Sequence, residues 1–138
     1  MPVKEYVLDA NALVRLYRNA PGANTVERLV REAKAGKARL SISVANLGEV
    51  LYVLSRYILP DEATRFVEET RDAVQAHSID QQASLAAAML RIRYKLGFAD
   101  CFAAELALRI GATLVTADPD FERLGKQLKV LSLPRHVQ

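Results

Sequence analysis

Four acidic side chains stand near junctions between strand-like and helix-like stretches of the sequence: Asp9, Glu49, Asp100 and Asp118. Asp9 ends one apolar run, Asp118 follows another by two residues, and Asp100 opens a helical pattern. Glu49 lies about one turn inside a further helical pattern. Carboxylates crowded into a partly buried cleft repel one another, so they must take up protons or bind cations. Oxygen ligands without a Cys or His cluster suit Mg²⁺ or Mn²⁺, the ions that support phosphodiester cleavage.

Helix capping is a competing explanation for the same side chains. Asp9, Asp100 and Asp118 each occupy a position where an N-cap belongs, and Pro119 suits the first helical position after Asp118. Glu49 taken alone is most simply a solvated helix residue, because it lies off the main apolar stripe of its helix. The metal hypothesis therefore depends on these acids meeting at one place in the fold.

The order of the predicted elements puts these acids on one edge of a sheet. The apolar runs and turn residues predict strands at 5–9, 38–43, 76–79, 112–116 and 128–133, helices at 11–18, 25–36, 44–58, 61–75, 81–97 and 99–111, and a loop with a short helix at 117–125. Strands that alternate with helices indicate an α/β three-layer sandwich with a mainly parallel sheet of four to five strands. In such a sheet, ligands bind at the carboxyl ends of the strands, near the point where strand order reverses.

Length and composition are those of a single folded domain covering residues 1–138. The chain is 51% hydrophobic and 25% charged, and its net charge of +3 tolerates a polyanionic partner without requiring one. Cys101 is the only cysteine, which excludes an internal disulfide and favours a reducing compartment. The sequence has no cleavable apolar leader and no run of about 20 apolar residues. We therefore expect a soluble cytoplasmic protein.

Three blocks of the sequence resemble, in order and spacing, the signature blocks of PIN-domain ribonucleases. They are VLDANALVRLY (7–17), SISVANLGEV (41–50) and GFADCFAAELALRIGATLVTADPDF (97–121). The resemblance extends from Val7 to the last predicted strand, and the length is similar to that of the VapC-type toxins of prokaryotic toxin–antitoxin pairs. It implies a PIN-like version of the α/β sandwich.

The resemblance implies a Mg²⁺- or Mn²⁺-dependent endoribonuclease that uses one or two ions, forms a homodimer and is silenced by a small antitoxin protein. The catalytic and metal-binding residues that it implies are Asp9, Glu49, Asp100 and Asp118. Asn11 and Thr116 match polar positions that hold water or orient the carboxylates. Asp120 is an additional acid that is either an outer ligand or a helix cap, and the cap is favoured.

Basic and aromatic side chains are candidates for contacts with RNA. Two groups of basic residues could flank the acidic cleft and grip phosphates: Arg15 and Arg18, then Arg91, Arg93 and Lys95. A solvated surface role explains each of these residues at least as well. Four tyrosines could stack bases, but packing in the core or in a dimer seam is the better explanation for Tyr17, Tyr52, Tyr57 and Tyr94.

Other functions are compatible with a similar sheet. An aspartyl-phosphate phosphatase needs a second acid two residues after its nucleophile, where this chain has Asn11. A receiver domain needs a phosphoacceptor after the third strand, where only Asp80 is available. A module that binds RNA without cutting it and a housekeeping PIN nuclease without a toxic role are further alternatives. His77 and His136 stand alone and are expected to be structural or surface residues.

Overall fold

A computed structural model describes residues 3–135 of the chain, which form five strands, six α-helices and one 3₁₀ helix. The strands are β1 (Lys4–Leu8), β2 (Ala38–Ser43), β3 (Val74–His77), β4 (Thr113–Thr116) and β5 (Val130–Ser132). The α-helices are α1 (Ala10–Arg18), α2 (Ala23–Lys34), α3 (Val44–Leu54), α4 (Pro60–Thr70), α5 (Gln81–Tyr94) and α6 (Phe98–Ile110). The 3₁₀ helix, Pro119–Gln127, lies between β4 and β5.

The five strands form one parallel sheet in the order β3-β2-β1-β4-β5. Val7 of β1 pairs with Ser41 of β2 on one side and with Leu114 of β4 on the other. The chain builds β1, β2 and β3 outward in one direction and then places β4 against the free side of β1. Strand order therefore reverses between β1 and β4. The predicted α/β three-layer sandwich is confirmed, with five parallel strands.

Helices cover both faces of the sheet because successive side chains of a strand point to opposite faces. Leu8 and Val115 pack in one core with α1, α2, α3 and α4, whereas Val7 and Leu114 pack in a second core with α5, α6 and the 3₁₀ helix. A strand buried on both faces carries consecutive apolar residues, as Val7 and Leu8 do in β1 and Leu114 and Val115 do in β4. Across residues 3–135, no helix is long and apolar enough to cross a membrane.

The predicted boundaries around the third strand were wrong. The helix predicted at 61–75 ends at Thr70, and the strand predicted at 76–79 occupies Val74–His77. Val74 pairs with Leu40 of β2 and is buried, so packing against the sheet outweighs the helical pattern of this segment. The helix predicted at 44–58 also ends early, at Leu54.

The junction between α5 and α6 changes the interpretation of Asp100. Helix α5 ends at Tyr94, with Lys95 in the left-handed conformation at a φ of 56°, and Gly97 is the N-cap of α6 rather than the end of α5. Asp100 is therefore the third residue of α6, and the prediction that it caps this helix was wrong.

The other two candidate N-caps are confirmed, Asp9 for α1 and Asp118 for the 3₁₀ helix, and Asp80 caps α5 in the same way. Each of these side chains accepts a hydrogen bond from a backbone amide in the first turn of the helix that it precedes.

Candidate active site

The carboxyl ends of β1 and β4 border an acidic pocket of about 280 Å³. The pocket lies where strand order reverses, which is where open parallel sheets bind ligands. It is lined by Asp9, Ala10, Asn11, Arg15, Glu49, Asp100, Ala117 and Asp118. A larger cavity of about 530 Å³, at the amino ends of β2 and β3, contains none of the four predicted acids. The fold therefore brings those four acids, which are distant in sequence, to one pocket.

Asp9 is held rigidly at the end of β1. Its side chain is only 4% exposed, and its backbone amide continues the sheet by donating to the carbonyl of Val115 at 3.3 Å. One carboxylate oxygen accepts from the Ala12 amide at 2.9 Å, and the other accepts from the Thr116 hydroxyl at 2.5 Å. The helix cap and the pocket carboxylate are thus the same side chain, so capping does not exclude a chemical role.

Thr116 connects the two acids that follow β1 and β4. Its hydroxyl donates to Asp9 and accepts from the backbone amide of Asp118 at 2.9 Å. Asp118 in turn accepts from the amide of Asp120 at 2.8 Å. The carboxylate of Asp120 binds Arg123 at 3.1 Å and is absent from the pocket lining, so Asp120 contacts the site through its backbone.

Glu49 and Asp100 reach the pocket from helices on opposite faces of the sheet. Buried Asn46, one turn before Glu49 on α3, donates to the carbonyl of Ala99 on α6 at 2.9 Å. This hydrogen bond crosses between the two layers directly beside Asp100. The sequence analysis did not identify Asn46, although an amide within the apolar block SISVAN was a usable signal.

Burial and charge change the proton affinity of two of the acids. Burial raises the pKa of Asp9 from 3.8 to about 6, against the lowering effect of its hydrogen bonds to Thr116 and Ala12. The pKa of Asp100 is raised to about 7, chiefly by burial. The hydrogen bond with Asp118 and the negative charge of Asp118 raise it further. The negative charge of Glu49 contributes to both increases. The four carboxylates are therefore close enough to influence one another.

Geometry alone does not identify a metal centre. Within the described residues 3–135, no group of three or more His, Cys, Asp and Glu side chains is arranged so as to hold a metal ion. The four acids line the same pocket. Metal coordination by these residues stays a prediction.

Arg15 is the predicted substrate-binding residue that lines the acidic pocket. Its guanidinium donates to the backbone oxygens of Pro21 and Arg135, each at 3.0 Å, and also to that of Pro134. These bonds hold the C-terminal segment beside the pocket and keep a positive charge at its wall.

The other four predicted basic residues are absent from the pocket lining. Arg18 lies over the ring of Tyr57, 3.9 Å from its centroid. Arg91 donates to a backbone oxygen just after α5, Arg93 lines a groove between α5 and α6, and Lys95 terminates α5. Of the two basic groups that were expected to flank the acids, only Arg15 therefore lies in the pocket wall.

Three of the four tyrosines, Tyr17, Tyr52 and Tyr57, are exposed, so they do not pack in the core, and a role in a dimer seam stays a prediction. Tyr94 packs against the core formed by α5 and α6, and Tyr17 packs edge-on against Phe66 of α4.

Cys101 and His77 are both absent from the lining of the pocket. Cys101 is buried, and its thiol donates to the carbonyl of Phe98 at 2.9 Å, while burial raises the pKa of the thiol. His77 makes a 3.0 Å hydrogen bond with the hydroxyl of Ser41 and is absent from the pocket lining. His136 lies outside the described residues.

The fold and the site define a class of α/β protein with an acidic pocket at the reversal point of a parallel sheet. The family model of the PIN domain matches residues 6–127, and the chain therefore belongs to the PIN domain family. No curated protein matches the sequence.

Solved structures with the same fold include components of toxin–antitoxin systems. The chain resembles a protein chain in the crystal structure of VapBC2 from Rickettsia felis bound to a promoter DNA fragment, with a TM-score of 0.72 and 20% sequence identity. The match covers 94% of this chain and 98% of that chain. DNA-bound VapBC from Salmonella typhimurium gives 0.72 at 21% identity over 95% and 98%. VapC20 from Mycobacterium tuberculosis, described as a Sarcin-Ricin loop cleaving toxin, gives 0.67 at 18% identity over 88% and 95%. The TM-scores establish a common fold, and at these identities they show the fold alone.

Proposed function

We propose that this protein is a metal-dependent endoribonuclease that hydrolyses RNA phosphodiester bonds. The observation that carries the proposal is the meeting of four carboxylates, from four separate elements, in one pocket at the reversal point of a PIN-family sheet. Asp80, the position that a receiver domain would phosphorylate, caps α5 by accepting from Ala83 and is absent from this pocket.

The donor set of the pocket fits a hard divalent cation. Its ligands are carboxylate oxygens, and burial together with mutual repulsion makes two of them costly to ionise without a counter-charge. Asp9, Glu49, Asp100 and Asp118 are the residues that would hold one or two Mg²⁺ or Mn²⁺ ions. Such an ion supplies Lewis-acid activation of water and neutralisation of the charge that develops on phosphate oxygens.

The residues around the four acids hold them in position. Thr116 fixes the orientation of the Asp9 carboxylate and of the Asp118 backbone, and the Asp120 amide orients the Asp118 carboxylate. The raised pKa of Asp100, about 7, applies to the metal-free protein, and a bound cation would displace the proton from this carboxyl group. Asn11, on the pocket wall, offers an amide to water or phosphate.

RNA cleavage by the purified protein in Mg²⁺, Mn²⁺ or EDTA tests this function. We expect metal-dependent cleavage that Asp9→Asn and Asp100→Asn each reduce by orders of magnitude. Asp80→Asn is the matched control, because Asp80 is also a helix-cap acid but lies outside the pocket. Cleavage that persists in EDTA, or that all three variants retain, would overturn the proposal.

We also propose that the protein acts as the toxin of a toxin–antitoxin pair. The structural neighbours named VapBC support this role, as does the similarity to a VapC toxin over 88% of the chain. Induced expression should arrest growth, Asp9→Asn should abolish the arrest, and the native protein should co-purify with a small protein. Unchanged growth with no small partner would instead favour a housekeeping nuclease.

The exposed face of α5 supports the homodimer that the resemblance implies. Leu85, Met89 and Ile92 follow a helical spacing and are all exposed. In an antiparallel pair of α5 helices, Leu85 would face Ile92 of the second copy, and the Asp80 end would lie beside the Lys95 end. This apolar, self-complementary stripe is the surface we assign to the second copy.

A further inference from the structure

Two tyrosines project into solvent next to arginine side chains. Tyr52 is 65% exposed and Tyr57 is 57% exposed, which is unusual for rings of this size. The Arg18 guanidinium lies 3.9 Å from the ring centroid of Tyr57, and that of Arg56 lies 5.6 Å from the ring centroid of Tyr52. Each tyrosine therefore has a cation against its ring while much of the side chain remains open to solvent.

These side chains lie on, or just after, the helices α1 and α3, which also contribute residues to the lining of the acidic pocket. On α3, Tyr52 lies three positions after Glu49, so both residues are on the same side of the helix. On α1, Arg18 has the same spacing from Arg15. Helices α1 and α3 pack against each other, and the contact of Arg18 with Tyr57 joins α1 to the turn that follows α3. We call these residues, Arg15, Arg18, Tyr52, Arg56 and Tyr57, the aromatic–arginine track.

The charge of the track suits a polyanion. Three of its five side chains are arginines, and it carries no acid. The basic surface ends at the start of α4, where Asp61 and Glu62 follow in the first helical turn. Guanidinium groups bind phosphates, and exposed tyrosine rings stack on unpaired bases with little regard to sequence. A base in a duplex is already stacked and cannot use such a ring.

We infer that the aromatic–arginine track binds a single-stranded segment of RNA next to the bond that the pocket cleaves. This inference rests on the proposed nuclease function and assigns a surface outside the pocket that would hold the RNA strand. Tyr52 and Tyr57 supply the stacking faces, while Arg18 and Arg56 supply positive charge and hold the rings in place.

The test measures RNA binding separately from cleavage. Asp9→Asn protein in EDTA is titrated against a fluorescein-labelled, unstructured RNA of about 12 nucleotides and against the same sequence in a duplex, over a range of salt concentrations. Tyr52→Ala and Tyr57→Ala should each weaken single-strand binding roughly 5- to 150-fold, with no change in the salt dependence. Arg18→Ala and Arg56→Ala should each reduce the slope of log affinity against log salt by about 0.7.

Matched substitutions separate these effects from a loss of structure. Tyr52→Phe and Tyr57→Phe keep the stacking face and should bind like the parent protein. Arg31→Ala removes an exposed arginine of α2, outside the track, and should leave the affinity nearly unchanged. Duplex binding should be weaker than single-strand binding and insensitive to the tyrosine substitutions.

Several results would overturn the inference. One is that Tyr52→Ala and Tyr57→Ala bind single-stranded RNA as tightly as the parent protein while the wild-type protein cleaves RNA. This result would refute the binding surface but leave the nuclease function intact. Another is a loss of binding to a co-purifying small protein in these variants with RNA affinity unchanged, which assigns the surface to a protein partner. A wild-type protein that cleaves no RNA, but whose single-strand affinity depends on both tyrosines, refutes the nuclease function and retains the binding surface.

Discussion

Asp9→Asn is expected to make the metal-free protein more stable at neutral pH while abolishing cleavage. The pKa of Asp9 is about 6 in the folded chain, compared with 3.8 for an ordinary aspartate. Each factor of ten in proton affinity corresponds to about 1.4 kcal/mol, so keeping Asp9 ionised in the fold destabilises it by up to about 3 kcal/mol. Because the pKa of Asp9 is higher in the folded chain than in the unfolded chain, protonation of Asp9 stabilises the fold. This contribution to stability is fully present below about pH 4 and is lost as the pH rises through about 6.

Asparagine at this position carries no charge and keeps an oxygen that can accept from the Ala12 amide. The destabilisation at high pH should therefore disappear. Urea denaturation in EDTA measures it: the stability of Asp9→Asn relative to wild type should be greater at pH 8 than at pH 4 by up to about 3 kcal/mol. For a domain of this size, that is a difference of about 10 °C in Tm.

Mg²⁺ should reverse the order of stability. The wild-type protein gains stability from any ion that binds only the folded state, whereas the variant lacks a ligand and gains less. Asp80→Asn, at a helix N-cap outside the pocket, controls for the substitution itself. If Asp9→Asn differs from wild type by the same amount at pH 4 and pH 8, the reasoning from burial and repulsion is wrong.

Three further substitutions test the supports of the site and its assembly. Thr116→Val removes the hydrogen bond that lowers the pKa of Asp9, so the acidic limb of the pH–rate profile should move to higher pH; an unmoved limb contradicts this. Asn46→Leu breaks the link to the Ala99 carbonyl, which should cost about 1 kcal/mol in urea denaturation and reduce cleavage roughly 10- to 100-fold; full activity would show that the link does not position Asp100. Met89→Glu places a charge in the apolar stripe of α5 and should convert a dimer into a monomer in light scattering, with unchanged circular dichroism; a persistent dimer would move the interface elsewhere.

The arrangement of elements was predictable because it follows from local pattern and topology. The apolar runs ending at Asp9 and preceding Asp118 are strands buried on both faces, and such strands occur in parallel sheets. Parallel strands in turn place their carboxyl ends on one edge. The meeting of these two acids in one pocket is therefore a consequence of the fold class.

The boundary errors have a different cause. Residues 74–75 continue a helical pattern, yet they join the sheet because Val74 gains more by packing beside Leu40. Asp100 occupied a candidate N-cap position, in the competing explanation, because α5 was expected to extend to Gly97, whereas Lys95 takes the left-handed conformation that ends it. Both outcomes depend on contacts between distant segments, which a local pattern does not contain.

By itself the sequence determined the sheet type, the number of layers and the edge on which the acids lie, because hydrophobic periodicity and chain crossover are properties of order along the chain. Only the tertiary structure decided which side chains enter the pocket and which lie beside it. Successive helix residues are rotated by about 100°, so the choice between Arg15 in the pocket wall and Arg18 over Tyr57 depends on how α1 is rotated against its neighbours. That rotation is set by packing in the core, as is the hydrogen bond from Asn46 to the start of α6.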